Sequence, residues 1–129
     1  MKIKAILVAV TAIVIMSSPC AAAPLMSVAD YQDTRHKGGQ GAQVIDIYIG
    51  AAIEAIGFAN QEVIERKHAP FFCQGGATIT VPLVRREIDR WIDAKTRTMT
   101  PAKWNDLAGK ISLAGATMFA LMAIFPCRR

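Results

Sequence analysis

The architecture of this chain turns on AQVIDIYIGAAIEAIGFANQEVIE, residues 42–65. Its apolar residues fall into two sets, Val44, Tyr48, Ala51, Ala55 and Phe58 in one and Ile45, Ile49, Ile53 and Ile56 in the other. Each set steps by three or four residues, a spacing that places its members on one face of an α-helix and that strand alternation cannot produce. Two such stripes on one helix predict that it is buried on most sides. Gly57 loosens or kinks it, the polar residues 60–68 complete it at the surface, and Pro70 ends it.

Working outward, Ser27 is placed to cap a short helix over residues 28–35, and HKGGQG, residues 36–41, reads as a loop because its three glycines oppose helix formation. PFFCQGGATIT, residues 70–80, is a second loop, bounded by Pro70 and by Thr80 as a helix cap. A third helix over residues 81–94 tolerates Pro82 in its first turn. It sets Val84, Ile88, Trp91 and Ile92 on one face and Arg85, Arg86, Asp89, Arg90 and Asp93 on the other. Residues 95–99 form a short connection. Thr100 followed by Pro101 starts a fourth helix that runs to about Phe125. Its uncharged part, residues 111–125, is too short to span a bilayer and contains Ser112, Gly115 and Thr117, so it reads as a core helix. Apart from residues 77–81 nothing alternates like a strand. The class is all-α: a small single-domain bundle of about four helices.

The first 23 residues carry the three-part layout of a secretory signal: Lys2 and Lys4, an apolar stretch over residues 6–16 interrupted by Thr11, then small residues. Cleavage after Ala22 or Ala23 fits the small-residue rule, and Pro24 favours Ala22, giving a signal of residues 1–22 and a domain of residues 23–129. Cys20 also invites a lipoprotein reading, but Ser17 and Pro19 are poor matches to the residues that precede a lipidated cysteine. With Cys20 removed, Cys73 and Cys127 remain in an oxidising compartment with only each other to pair with; the alternative is two free buried thiols. Pairing staples the C-terminus to the middle of the fold and contributes about 4 kcal/mol in the chain-entropy picture.

Loss of Lys2 and Lys4 leaves 13 basic and 10 acidic residues, a net charge of +3, without a dense basic run, so nucleic acid is not indicated as a partner. Catalytic groups are scarce. The exported chain offers Ser27 and Ser112 as nucleophiles and His36 and His68 as bases, none in a recognisable setting, and Ser27 is better used as a cap. The two histidines have no ligand spacing, so no metal is expected, and no cofactor. Gly38, Gly39 and Gly41 lack the preceding strand that a phosphate-binding loop requires. Glu62, Glu65, Arg66, Lys67 and His68 make an ordinary charged helix end. By elimination the chain is not an enzyme, and binding remains.

The order of Tyr48-Ile49-Gly50, the Cys73 loop, a helix ending in a short turn, Thr100-Pro101-Ala102 and Phe125-Pro126-Cys127 resembles the Rap/Tai family of immunity proteins. These protect bacteria from peptidoglycan amidase effectors delivered by type VI secretion. The resemblance covers residues 42–127. Members often carry proline after the first cysteine, where Gln74-Gly75-Gly76 stands here. The resemblance implies a periplasmic, all-helical protein, usually a homodimer, that plugs the active-site groove of its cognate amidase. A reading from another class is a periplasmic stress chaperone similar to the acid-stress Hde proteins; a third is an accessory of a secretion or conjugation apparatus.

Periodic apolar faces are needed for the core, so partner recognition is expected at loops and exposed charges. Gln74, Gly75, Gly76 and Thr78 beside the disulfide come first, then Arg85, Arg86 and Arg90 on the third helix, and Lys95 and Arg97 in the connection after it.

Overall fold

The computed structural model describes residues 25–128 and contains five helices, with no strand among the described residues. These are α1 (Val28–Arg35), α2 (Gly39–Glu65), α3 (Val81–Thr98), α4 (Pro101–Lys110) and α5 (Leu113–Ile124). Cys73 and Cys127 are bonded across a Cα separation of 4.9 Å. The all-α class and the staple therefore agree with the sequence reading. The expected signal peptide, its cleavage site and Cys20 lie outside the described residues.

Local chemistry starts most helices where the sequence places them. Ser27 and Asp30 form a reciprocal capping box: the Ser27 hydroxyl accepts from the Asp30 amide at 3.1 Å, and the Asp30 carboxylate accepts from the Ser27 amide at 2.8 Å. The Ser27 hydroxyl, which donates to the Asp30 carboxylate at 2.6 Å, and the Ser27 amide together hold the Asp30 carboxyl below its ordinary value. Thr80 caps α3 through the Leu83 amide, with Pro82 in the first turn. Thr100 is extended because the proline after it disfavours the helical conformation, and α4 begins at Pro101.

The core centres on α5, which packs against α1, α2 and α3. Leu113, Ala116, Thr117, Ala120 and Leu121 are buried along it, and Thr117 satisfies its hydroxyl by donating to the Leu113 carbonyl at 2.9 Å. Around it close Val28, Tyr31, Ile45, Ile49, Phe72, Val84, Ile88 and Ile92. Trp91 meets Trp104 edge to face at 5.9 Å, joining α3 to α4.

Four expectations are corrected. The single fourth helix is two helices, α4 and α5, because the backbone leading into α1 pairs with the segment between them: Val28 donates to Ile111 and Leu113 donates to Met26. Ser112 then starts α5 by capping the Gly115 amide. Residues 39–41 are helical rather than loop; the corner after α1 is made by Gly38 and Gly39, both at positive φ, and α2 continues directly from it. Residues 95–98 are the last turn of α3, since nothing breaks that helix before Met99-Thr100-Pro101 and its terminal Lys95 and Arg97 suit the negative end of the helix dipole. Finally, α2 is not buried on most sides. Only Ile45, Ile49, Ala52 and Asn60 are buried, while Ile47 and Phe58 are each 71% exposed. The reason is geometric: α1, α3 and α5 all pack on one side of a 27-residue helix that is longer than any of them.

Candidate functional site

The loop between α2 and α3 is built on a buried asparagine. Asn60 lies on the stripe of Ile49, Ile53 and Ile56, so the helix carries its amide inward, and it is 6% exposed. Its Oδ1 accepts from the Phe71 amide at 2.7 Å and from the Phe72 amide at 3.4 Å, and its Nδ2 donates to the Phe72 carbonyl at 3.0 Å. The Phe72 ring is inserted into the core, 2% exposed, with the Phe125 ring 6.4 Å away. The Cys73 amide donates to the Phe125 carbonyl at 2.9 Å, and the disulfide follows at once. Hydrogen bonds, a buried ring and a covalent bond thus fix three consecutive residues, 71–73. The expectation that residue 60 begins a polar surface stretch is corrected by this clamp.

Beyond that base the chain turns tightly. The Ala77 amide donates to the Gln74 carbonyl at 3.0 Å, and Gly75 and Gly76 between them have φ of 60° and 82°. Positive φ at both central positions is the type I′ arrangement, which glycine adopts without strain. The Gln74 side-chain amide also donates to the Ala77 carbonyl. Gln74, Gly75, Gly76, Ala77 and Thr78 are all exposed. The result is a short glycine-tipped projection on a rigid base, with little conformational freedom left to lose on docking.

The other residues expected to bind do not share this site. Arg85 is turned inward, ion-paired with Asp46 of α2 at 3.0 Å and only 26% exposed. It lies beside a network that the sequence reading missed. Tyr31 donates to Asp89 at 2.6 Å, and Arg35 pairs with the same Asp89 oxygen at 2.6 Å, tying α1 to α3. Burial, reinforced by the Asp89 carboxylate, pushes the Tyr31 phenol up to about 12. Arg86 is exposed, and Arg90 is exposed but paired with Glu87 one turn earlier. Lys95 is half-buried, and Arg97 donates to the Asp93 carbonyl of its own helix. From Thr80 to Lys95 the helix rises about 22 Å, so these last two stand at the opposite end of α3 from the loop. The candidate site reduces to residues 74–78, with Arg86 the nearest cation on α3 that makes no ion pair among the described residues.

The Asn60 clamp had a readable signal, its register with the isoleucines; the Asp89 network had none, because it depends on which face of α3 meets α1. No group of three or more His, Cys, Asp or Glu side chains among the described residues could hold a metal ion. No family model, curated protein or solved structure matches the chain.

Proposed function

We propose that this is a periplasmic immunity protein that binds and inhibits a peptidoglycan amidase effector delivered by type VI secretion. The observation that carries the reading is the projection at residues 74–78, tethered on one side by the disulfide and Asn60 and on the other by the start of α3. Inhibition of an enzyme by groove plugging needs a loop that enters a cleft without being digested or reordered, and a preorganised backbone supplies that. Gly75 and Gly76 present bare backbone at the tip, which lets amides and carbonyls approach a narrow groove closely. The resemblance carried by Tyr48-Ile49-Gly50 and Phe125-Pro126-Cys127 supports the same assignment, as does the disulfide, which suits an oxidising compartment.

The test replaces residues 74–78 with a Gly/Ser segment of equal length and compares it with the unaltered protein. Each is titrated against purified amidases from the type VI clusters of the same genome, with peptidoglycan hydrolysis as the readout. The unaltered protein is expected to inhibit one of them stoichiometrically and the replacement to lose at least about 100-fold in affinity, with helicity and melting retained. Full inhibition by the replaced protein would move the site off this loop. Failure of the unaltered protein against every such amidase would remove the immunity assignment.

A further inference from the structure

Among the described residues, the backbone takes positive φ at Gly38, Gly39, Gly75 and Gly76, and at one residue that is not glycine, Lys67, with φ of 60°. Lys67 closes α2. Its amide donates to the Ile64 carbonyl at 2.9 Å, and the His68 amide donates to the Val63 carbonyl at 3.0 Å. Those two bonds are the Schellman closure of a helix, in which the turning residue takes the left-handed conformation that glycine usually supplies. A lysine there crowds its Cβ against the following carbonyl oxygen and strains the backbone. Such strain persists where a side chain is used in binding or catalysis.

What the Lys67 side chain can meet follows from its place. Residues 69–84 carry no charged side chain, so the projection at residues 74–78 is itself uncharged. Its foot is cationic. Lys67 comes three residues before Pro70, which puts the two Cα atoms within about 11 Å of each other. On the other strand of the foot the Cys127 sulfur lies 4.0 Å from the Pro70 carbonyl, and Arg128 follows it. Lys67, His68 and Arg128 are exposed. The acids of the same helix end are engaged: Glu62 pairs with Arg66 at 3.4 Å, and Glu65 accepts from the Gln61 side-chain amide at 3.2 Å. Neither Lys67 nor Arg128 makes an ion pair among the described residues.

We propose that Lys67 and Arg128 form a cationic collar at the foot of the projection, and that this collar meets carboxylates on the rim of the partner enzyme's groove. The inference rests on the immunity reading of the projection, and it adds recognition residues outside the loop and the charge of the surface they face. Two cations attract an anionic bilayer too weakly to hold a protein there. Beside a rigid projection that fills a cleft they need only steer it and fix its register, which exposed rim charges do chiefly through the association rate. The strained backbone fits that role, because it fixes where the Lys67 side chain leaves the helix end.

The experiment is stopped-flow association with the type VI amidase that the unaltered protein inhibits, at about 25 and 300 mM salt, together with thermal melts of the free proteins. Lys67→Gln keeps the strain and removes the charge: association at low salt is expected to slow about tenfold, with dissociation within about twofold and melting unchanged. Lys67→Gly removes both, so the same slowing is expected beside a melting temperature raised by about 5 °C. Lys67→Arg is expected to associate as fast as the unaltered protein, and Arg128→Gln to slow association about fivefold. Unaltered association by Lys67→Gly, no rise in its melting temperature, or a rate for the unaltered protein that ignores salt would overturn the proposal. Flotation of the unaltered protein with phosphatidylglycerol vesicles that Lys67→Gln abolishes would also overturn it, by giving the collar to lipid. Inhibition that persists without Lys67 and Arg128 would sink the collar alone, whereas failure of the unaltered protein against every amidase would sink the immunity reading and the collar with it.

Discussion

Replacing Asn60 by alanine is expected to unlatch the α2 to α3 loop. The substitution deletes bonds to the Phe71 amide at 2.7 Å, the Phe72 carbonyl at 3.0 Å and, at 3.4 Å, the Phe72 amide. Phe72 is 2% exposed, so its two backbone groups cannot turn to water while its ring stays in place. A net hydrogen bond is worth about 1 kcal/mol and an orphaned buried partner costs about 1–3 kcal/mol, which together give a loss of about 3 kcal/mol. For a domain of this size that lowers the melting temperature by about 15 °C. Guanidinium unfolding of the oxidised protein measures the first quantity, and hydrogen exchange at the Phe71 amide locates it. Asn60→Asp separates the donor from the acceptor: it keeps Oδ1 for the Phe71 amide but sets a carboxylate against the Phe72 carbonyl, so it is expected to be at least as damaging at pH 7 and to recover as acid restores an O–H donor. A loss under about 0.5 kcal/mol, with unchanged exchange at Phe71, would refute the clamp.

Cys73→Ser with Cys127→Ser is expected to lower stability by about 4 kcal/mol, since the bond spans 54 residues, and denaturant midpoints of the oxidised protein and the double variant measure it. Stability is also expected to fall in strong alkali through Tyr31. Its folded value, about 12, lies above the ordinary 10, so its contribution is complete below pH 10 and is lost as pH rises through 12. Tyr31→Phe is expected to flatten that part of the profile, read by thermal melts from pH 9 to about pH 12.

How much of this was legible depends on how local each signal is. Ser27, Thr80 with Pro82, and Thr100 with Pro101 mark helix starts within three or four residues of themselves, and each does so here. The break at Ser112 comes from backbone pairing with residues 26–28, more than eighty positions away, and no periodicity reports that. Periodicity likewise revealed both stripes of α2 without telling which had a neighbour, because that is set by the lengths of the other helices. In the candidate loop, Gly75-Gly76 was readable as a turn from its residues alone. Arg85 and Arg86 are adjacent in sequence yet differ in role, one spent on Asp46 and one exposed, and only the crossing of α3 over α2 separates them. Lys95 and Arg97 were displaced from a connection to a helix end because no breaker stands before Met99.

The pairing of residues 26–28 with residues 111–113 also has a bearing on the order in which the fold can form. A chain emerging N-terminus first presents α1, α2 and α3 before α5 exists, although α5 is the element that all three pack against. The first helix cannot be seated until the segment around Ser112 arrives, and Phe72 has no aromatic neighbour until Phe125 does. Early helices must therefore wait, with apolar faces open, for residues 113–127 to supply both the core and the second cysteine. Assembly is a closing step made by the tail, and a chain cut short before Leu113 would hold most of its helices and none of its centre.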